Sequence, residues 1–365
     1  MLKTGIIGLP NVGKSTLFSA LTKAKALAAN YPFTTIEPNV GMVNVYDPRL
    51  TFLANLYHPE KIIPASVQFI DIAGLVKGAS QGEGLGNQFL SYIREVHAIA
   101  QVVRCFDDEN IIHVDGNVDP IRDIETIELE LFLADLETVE RRLGRLDKKV
   151  KANVKEAVFE AAVLSKIKTV LDQEKSPRSL SFNELELKTI KNFNLLSLKP
   201  MIYIANVAEA DLLNLEENAS LVKLKKYAEQ KGIEVIGISA QVEKELVSLD
   251  KEEQLALLSS YGMDQSGLNQ VIQRSYELLG LETFFTTGED EVRAWTFTKG
   301  MKASECAGII HSDFERGFIR AETVSYTDLF KYKTPQLAKE AGKIRLEGKE
   351  YLVQDGDIIL FRFNV

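Results

Sequence analysis

The chain has 365 residues, 45% of them hydrophobic, and a formal net charge of −9. This length predicts two or three domains, and the acidic balance argues against nonspecific coating of nucleic acid, so we expect no DNA partner. The two cysteines exclude a disulfide scaffold and a cysteine-rich zinc site. Met1 leads directly into an apolar segment, and no apolar run approaches about 18 residues. We therefore expect no signal peptide, no membrane partner and a cytoplasmic location.

The most informative stretch is Gly8-Leu9-Pro10-Asn11-Val12-Gly13-Lys14-Ser15, which lies between an apolar run and a helix-forming segment. The order strand, glycine loop, helix is typical of a phosphate-binding loop, where backbone N–H groups surround a triphosphate. The Lys14 ammonium is predicted to reach the β- and γ-phosphates, and the Ser15 hydroxyl to bind Mg²⁺. The predicted nucleotide contacts in this loop are Asn11, Val12, Gly13, Lys14, Ser15 and Thr16.

Two adjacent threonines follow in a proline-framed loop, Tyr31-Pro32-Phe33-Thr34-Thr35-Ile36-Glu37-Pro38. In nucleotide switches, a threonine of such a loop binds Mg²⁺ and senses the γ-phosphate. We predict this metal-binding role for Thr35, with Thr34 as the second choice. The alternative is an ordinary solvated turn.

A second phosphate-side element is predicted in Val67-Gln68-Phe69-Ile70-Asp71-Ile72-Ala73-Gly74, a buried strand that ends in an acid and is followed three residues later by a glycine. Asp71 is placed to hold Mg²⁺ through water, and the N–H group of Gly74 to meet the γ-phosphate. Many such hydrolases carry a glutamine at the next position to orient the attacking water, but here the residue is Leu75. Hydrolysis is therefore either slow or assisted by another polar group.

His113 follows another buried strand, Ile99–Phe106, on the expected active edge of the sheet. A neutral imidazole can position or polarise water near pH 7, so His113 is the candidate to replace the missing glutamine. The alternative is an ordinary surface histidine.

Apolar residues from Leu129 to Val150 recur in alternating steps of three and four, and a weaker repeat continues from Val154 to Leu171. This spacing predicts a coiled-coil hairpin that folds back near 151–153. Basic residues surround the predicted tip, and RNA phosphate is their candidate partner, whereas a solvated helix face is the alternative. The lysines chosen for this contact are Lys148, Lys149 and Lys151.

The base site is predicted at Asn206-Val207-Ala208-Glu209, at the end of another apolar strand. The usual guanine-binding motif is Asn-Lys-x-Asp, in which the aspartate accepts hydrogen bonds from guanine. A carboxylate repels the N1 acceptor of adenine, so we expect Glu209 to turn away while the Asn206 amide and nearby backbone contact the N6/N7 edge. ATP is thus favoured over GTP, although a longer acid that still accepts guanine is the alternative. The contacts predicted on this side are Asn206, Val207, Ser239 and Ala240.

The predicted fold class is α/β, with a P-loop domain built on a mostly parallel sheet. The predicted boundaries are 1–120 with 199–280 for this domain, 121–198 for the helical insertion and 281–365 for a C-terminal module. Four strand-like segments and a short helix near 304–310 make this last module a small mixed α+β fold.

These motifs, together with Asp313-Phe314-Glu315-Arg316-Gly317-Phe318-Ile319-Arg320-Ala321-Glu322, closely resemble the Obg-like ATPase family of YchF type over essentially the whole chain. The resemblance implies a translation-factor-class P-loop domain, a coiled-coil insertion and a C-terminal TGS domain of β-grasp fold. It also implies ATP hydrolysis in preference to GTP, Mg²⁺ dependence, ribosome association through the large subunit or the whole ribosome, and a role in translation or stress.

The resemblance also bears on single residues. Family members carry a hydrophobic residue at the position of Leu75 and a histidine at that of His113, which implies a catalytic role for His113 beside Lys14. Asn11 matches an asparagine that accompanies potassium-stimulated hydrolysis in related enzymes, so K⁺ is a candidate activator.

Two other functions compete with a Mg²⁺-dependent ATPase. One is a GTP-binding switch. The other is a largely non-catalytic module that binds ribosome or RNA and uses slow hydrolysis only to reset itself.

Overall fold

The computed structural model describes residues 2–26, 40–72, 85–108, 111 and 116–364. The strands are β1 (Lys3–Ile7), β2 (Val40–Asn44), β3 (Lys61–Ile63), β4 (Ser66–Asp71), β5 (Ala98–Arg104), β6 (Met201–Asn206), β7 (Val235–Ile238), β8 (Leu281–Thr287), β9 (Glu291–Thr298), β10 (Phe318–Ser325), β11 (Arg345–Glu347) and β12 (Asp357–Phe363).

The helices connect and cover these strands. They are α1 (Lys14–Ala26), α2 (Pro48–Tyr57), α3 (Leu85–Glu95), α4 (Pro120–Lys151), α5 (Lys155–Leu171), α6 (Glu184–Lys191), α7 (Ala219–Lys231), α8 (Ala240–Leu246), α9 (Lys251–Ser260), α10 (Gly267–Leu278), α11 (Ala303–Ile310), α12 (Ser312–Arg316), α13 (Tyr326–Tyr332) and α14 (Pro335–Glu340), with 3₁₀ helices at Pro177–Ser179 and Glu209–Glu217. Among the described residues, no helix has both the length and the apolar character needed to cross a bilayer.

The chain divides into two compact units. The first contains Met1–Gly41 and Gln68–Val271, and the second contains Met42–Val67 and Ile272–Val365. This division differs from the predicted boundaries, which assigned 42–67 to the nucleotide-binding domain. The physical reason is strand pairing, because the short strand β3 extends the sheet of the second unit by pairing in parallel with β9.

The first sheet has the strand order β2-β4-β1-β5-β6-β7. The pairs β1–β4, β1–β5, β5–β6 and β6–β7 are all parallel, which confirms the predicted α/β class with a mostly parallel sheet. Strands β5 and β6 are buried along their whole length, because helices cover both faces of such a sheet. The register pairs Ile6 with Asp71 and Arg104 with Asn206, so the carboxyl ends of four strands meet at one edge.

The helical hairpin forms as predicted, with α4 and α5 folding back at residues 152–154. Its core contains residues of both helices, among them Phe132, Val139, Leu146, Leu164 and Ile167. Val154 differs from the expected seam, because it lies in the turn and is 39% exposed. The hairpin is anchored to the sheet by Asp135.

Asp135 is fully buried on α4. Its carboxylate accepts hydrogen bonds from the backbone N–H groups of Leu196 and Ser197, at 2.9 and 2.7 Å, and from the Ser197 hydroxyl at 2.6 Å. These partners lie just before β6, so one buried side chain fixes the hairpin against the strand that leads to Asn206. Burial raises the pKa of Asp135, while the three donors oppose that shift.

The second unit confirms the expected mixed α+β module. Its sheet has the order β11-β10-β12-β8-β9-β3. Strands β8 and β9 are antiparallel, and β12 runs parallel to β8 and antiparallel to β10. The core packs Phe284, Phe297 and Phe361 of the sheet against Cys306 and Ala307 of α11. Helices α13 and α14 and strand β11 were not predicted.

Candidate functional site

The loop between β1 and α1 has the backbone shape expected of a phosphate-binding loop. Asn11 and Gly13 both adopt positive φ values, of 63° and 93°. A Cβ atom at Gly13 would lie 2.2 Å from Asn206 Nδ2, so a side chain there is excluded both by backbone conformation and by space. Lys14 then begins α1 and is only 8% exposed. The N-terminal N–H groups of α1 therefore lie where a phosphate would bind.

Asn206 connects three segments of the site. Its Nδ2 donates to the Val12 carbonyl at 2.9 Å, and its Oδ1 accepts from the Ala240 N–H group at 2.9 Å. The side chain is buried, so both bonds are shielded from water. Asn206 thus fixes the phosphate loop and the start of α8 against the end of β6. Its second Nδ2 proton and the second lone pair of Oδ1 are left for a nucleotide base.

Lys14 and Asp71 form the most direct contact between the two predicted phosphate-side elements. The Lys14 ammonium donates to Asp71 Oδ1 at 2.5 Å, and the two side chains are only 9% and 17% exposed. Asp71 ends β4, and Lys14 begins the helix that follows β1. The parallel pairing of β1 with β4 therefore brings the two residues together. A cation and a carboxylate that are 57 residues apart therefore occupy one place at the sheet edge.

A cavity of about 600 Å³ opens at this edge. Residues predicted from the sequence line it from both sides, namely Asn11, Gly13, Thr16, Asn206, Val207, Ser239 and Ala240. Its size suits a ligand such as a nucleotide. The structure thus brings the phosphate loop and the predicted base site to a single cavity.

Sequence reasoning missed Arg104, which organises the segment after β5. Arg104 is 2% exposed and donates to the carbonyl oxygens of Phe106, Asp108 and Ile111 at 3.1, 3.3 and 2.9 Å. Its guanidinium carbon also lies 4.6 Å from the Phe106 ring centroid. The signal in the sequence was a lone cation that ends an otherwise apolar strand.

The side chains that this segment presents to the cavity were also missed. Phe106, Asp107, Asp108 and Ile111 line it, as does Gln241 from α8. Arg104 therefore shapes one wall of the cavity through its bonds to the backbone.

Glu209, the residue at the last position of the base motif, also lines the cavity. Its Oε1 accepts a hydrogen bond from the Tyr261 hydroxyl at 2.5 Å. This bond to a carboxylate is the main reason that the pKa of Tyr261 rises to about 12. Tyr261 directly follows α9, about 50 residues further along the chain, and no sequence motif pointed to it.

Helix α8 carries a buried acid behind the cavity. Glu243 is 2% exposed, and its Oε1 accepts from the Gly267 N–H group at 2.7 Å, at the start of α10. Burial raises the pKa of Glu243 to about 7, although hydrogen bonds from Leu268, Gly267 and Ser266 oppose the shift. The helix that begins with Ala240 at the cavity is therefore joined to α10 by a carboxyl group that titrates near neutral pH.

Three predicted site residues, Thr35, Gly74 and His113, lie outside the described residues, as do Thr34 and Leu75. The donor set in the described part nevertheless fits Mg²⁺. The Ser15 hydroxyl and the Asp71 carboxylate are hard oxygen ligands, and Mg²⁺ bound to a nucleotide needs only one or two from the protein. The contact with Lys14 puts this carboxylate beside the start of α1.

The basic tip of the hairpin is only partly neutralised. Lys151 pairs with Asp147 at 2.6 Å, and Arg142 pairs with Glu160 at 2.5 Å. Within the described ranges, Lys148 and Lys149 form no ion pair. Within this part of the chain, two of the three lysines chosen from the sequence are therefore not paired with a carboxylate and can bind an anionic partner.

Comparisons with known proteins agree with this site. Residues 3–139 match a family model described as "50S ribosome-binding GTPase", and residues 281–364 match the model YchF-GTPase_C, described as "Protein of unknown function (DUF933)". The "Ribosome-binding ATPase YchF" of Bacillus subtilis is 58% identical over 364 residues, which cover 100% of both chains. The protein of that name from Haemophilus influenzae is 53% identical over 363 residues, covering 100% of this chain and 99% of the relative.

A solved structure extends this similarity to three dimensions. The YchF GTPase of Schizosaccharomyces pombe has a TM-score of 0.90 and 43% identity, covering 99% of this chain and 97% of its own. The matched region therefore includes the phosphate loop, the helical hairpin and the C-terminal module. The chain belongs to the YchF family.

Proposed function

We propose that this protein binds ATP with Mg²⁺, hydrolyses it, and binds ribosomes in a manner that depends on the nucleotide. The observation that carries the proposal is the single cavity that joins the phosphate loop to the segment 206–209. Relatives named ribosome-binding ATPases support both the reaction and the partner. With the ribosome as its partner, the protein would act in the cytoplasm, in the regulation of translation or stress.

The phosphates would lie against the phosphate loop and the N-terminus of α1. Backbone N–H groups from 11–16 and the Lys14 ammonium would neutralise the charge that develops during phosphoryl transfer. Ser15 and Asp71 would hold Mg²⁺, with Thr35 as a further ligand and the Gly74 N–H group on the γ-phosphate. When bound, the metal supplies positive charge between the phosphate oxygens. K⁺ near Asn11 is an additional activator that we propose from the sequence.

The base would occupy the cavity beside Val207, Ser239 and Ala240. The remaining Nδ2 proton of Asn206 can donate to the purine N7, which adenine and guanine share, so this hydrogen bond does not choose between them. Glu209 is the group that distinguishes the two bases. It is one methylene longer than the aspartate that accepts hydrogen bonds from guanine, and we propose that it turns away from the base, because a carboxylate facing adenine would meet the N1 acceptor. We therefore propose that ATP is preferred.

Binding by calorimetry with ATP and with GTP, each with Mg²⁺, tests this preference directly. We expect the lower Kd for ATP. A lower Kd for GTP would instead support a GTP-binding switch, a function favoured by the word GTPase in the matching family model and in the name of the fission yeast structure. Absence of binding to either nucleotide would overturn the proposal.

For hydrolysis, we propose that His113 positions the attacking water. The side chain of Leu75 cannot form a hydrogen bond to water, and His113 follows strand β5 in the sequence. Replacement of His113 by alanine is expected to lower kcat by a factor of about ten or more and to leave the Kd for ATP within about twofold. His311→Ala, an exposed histidine of the second unit, is the matched control.

For the ribosome, we propose that the hairpin tip contacts RNA phosphate through Lys148, Lys149 and Lys151. The combined charge reversal of these lysines to glutamate is expected to weaken co-sedimentation with ribosomes, most clearly at low salt. Reversal of three other exposed lysines, Lys188, Lys191 and Lys226, gives the same change in net charge and serves as the control. Equal co-sedimentation of both variants would assign ribosome contact to another surface.

A further inference from the structure

We propose that Tyr261 is a specificity-determining positioning residue, whose hydroxyl holds Glu209 so that the cavity accepts adenine and rejects guanine. The inference rests on the proposed nucleotide-binding function and adds the residue that sets its base preference. It concerns a side chain that lies outside both the phosphate loop and the base motif.

The contact between the two residues is short and well supported. The Tyr261 hydroxyl donates to Glu209 Oε1 at 2.5 Å. The Tyr261 backbone is itself fixed, because its N–H group bonds to the end of α9 at Leu258 and the Met263 N–H group bonds to the same carbonyl. Glu209 lines the cavity, whereas Tyr261 is not among the described residues that line it. Tyr261 can therefore act on the base only through Glu209.

Within the described part of the chain, no lysine or arginine forms an ion pair with Glu209. The tyrosine hydroxyl is thus the group that restrains this exposed carboxylate. A hydrogen bond to a charged acceptor is stronger than one between neutral groups, so it can select one orientation of a flexible side chain.

This restraint has opposite consequences for the two purines. A carboxylate recognises guanine by accepting from N1–H and from the N2 amino group, and this requires both of its oxygens. Because the bond from Tyr261 fixes the orientation of the carboxylate, guanine can use both oxygens only if Glu209 turns and this bond is lost. Adenine has no donor at N1 and needs only that the carboxylate stay away. The Tyr261 hydroxyl therefore penalises GTP without touching ATP.

The test is Tyr261→Phe, which removes the hydroxyl and keeps the ring. Calorimetry with ATP and with GTP, each with Mg²⁺, measures the two Kd values. The variant should bind GTP about five- to tenfold more tightly than the unchanged protein does, whereas its Kd for ATP should stay within about twofold. Tyr261→Leu removes the same hydroxyl with a different change in packing and is expected to move the ratio in the same direction. Tyr92→Phe, at an exposed tyrosine on α3, is the matched control.

The same substitution in a protein that already carries a change at Glu209 separates a specific role of Tyr261 from a merely structural one. In a Glu209→Ala protein, the acceptor that Tyr261 restrains is gone, so adding Tyr261→Phe should leave the ratio of the two affinities unchanged. A parallel loss of ATP and GTP affinity in Tyr261→Phe, or an unchanged ratio, would overturn the inference while the ATPase proposal stands. A protein that binds neither nucleotide before substitution would overturn both.

Discussion

The Lys14 ammonium and the Asp71 carboxylate lie 2.5 Å apart, joining the first residue of α1 to the last residue of β4. Each is predicted to serve a different part of a bound Mg²⁺ nucleotide, Lys14 the phosphates and Asp71 the metal. In the described protein they neutralise each other. Binding of the nucleotide with its metal would therefore replace this ion pair by a contact of Lys14 with phosphate and a contact of Asp71 with Mg²⁺.

Asp71→Asn keeps the shape of the side chain but removes its charge. In the presence of Mg²⁺, we expect ATP affinity to fall about tenfold, because a metal ligand is weakened. In EDTA, the variant should bind ATP at least as tightly as the unchanged protein, since Lys14 no longer has a competing carboxylate. Calorimetry under both conditions measures the difference, and Asp172→Asn on the hairpin is the control. An equal loss with and without metal would contradict a role for Asp71 at the metal.

Gly13→Ala is expected to abolish measurable ATP binding. The new methyl group would collide with Asn206 Nδ2, and the positive φ of residue 13 is unfavourable for alanine. Gly144→Ala is the matched substitution, because a Cβ there meets no atom within 4 Å and the residue lies inside α4. That variant should keep its ATP affinity and gain about 1 kcal/mol of unfolding free energy. Calorimetry and urea unfolding measure the two effects.

Glu243 predicts a pH dependence of stability with a definite sign. Its pKa is raised from 4.5 to about 7 in the fold, so the folded state binds the proton more tightly than the unfolded state. The stabilisation that it provides is complete below about pH 4.5 and is lost as the pH rises to about 7. Glu243→Gln should therefore raise the melting temperature relative to the unchanged protein at pH 8, with a smaller difference at pH 5.

The magnitude expected for Glu243→Gln at pH 8 is about 1–3 kcal/mol, because the amide needs no charge in a buried position and can still accept from the Gly267 N–H group. Thermal unfolding from pH 5 to 8 is the measurement. Glu253→Gln, on the exposed helix α9, controls for the general effect of removing a carboxylate. Parallel pH profiles of the unchanged protein and the Glu243 variant would rule out this linkage.

Asp135→Ala is expected to lower the unfolding free energy by about 3 kcal/mol or more. The substitution leaves three buried donors on Leu196 and Ser197 without their acceptor. Urea unfolding measures the loss, with Asp172→Ala as the control, since that residue makes only a partly exposed pair with Lys168. A loss below about 1 kcal/mol for Asp135→Ala would mean that water or a shifted side chain replaces the carboxylate.

The sequence by itself determined the elements whose signals are local. The glycine loop before α1, the apolar strands β4 to β7 and the hairpin turn at 152–154 all depend on backbone freedom or on regular spacing of apolar residues within one segment. Parallel strands carry their polar ends to one edge, so the meeting of Asn11, Gly13, Thr16 and Asn206 at one cavity, and of Asp71 with Lys14, also followed from local patterns.

The tertiary structure alone decided which distant side chains meet. The bond of Tyr261 to Glu209, the bonds of Asn206 to Val12 and Ala240, and the pairing of β3 with β9 join segments that are far apart in the sequence. Hydrogen bonds and ion pairs act over a few ångströms and depend on where the folded chain returns, which residue spacing does not record. For the same reason, the raised pKa of Glu243 arises from its burial in the folded chain and not from its neighbours along the sequence.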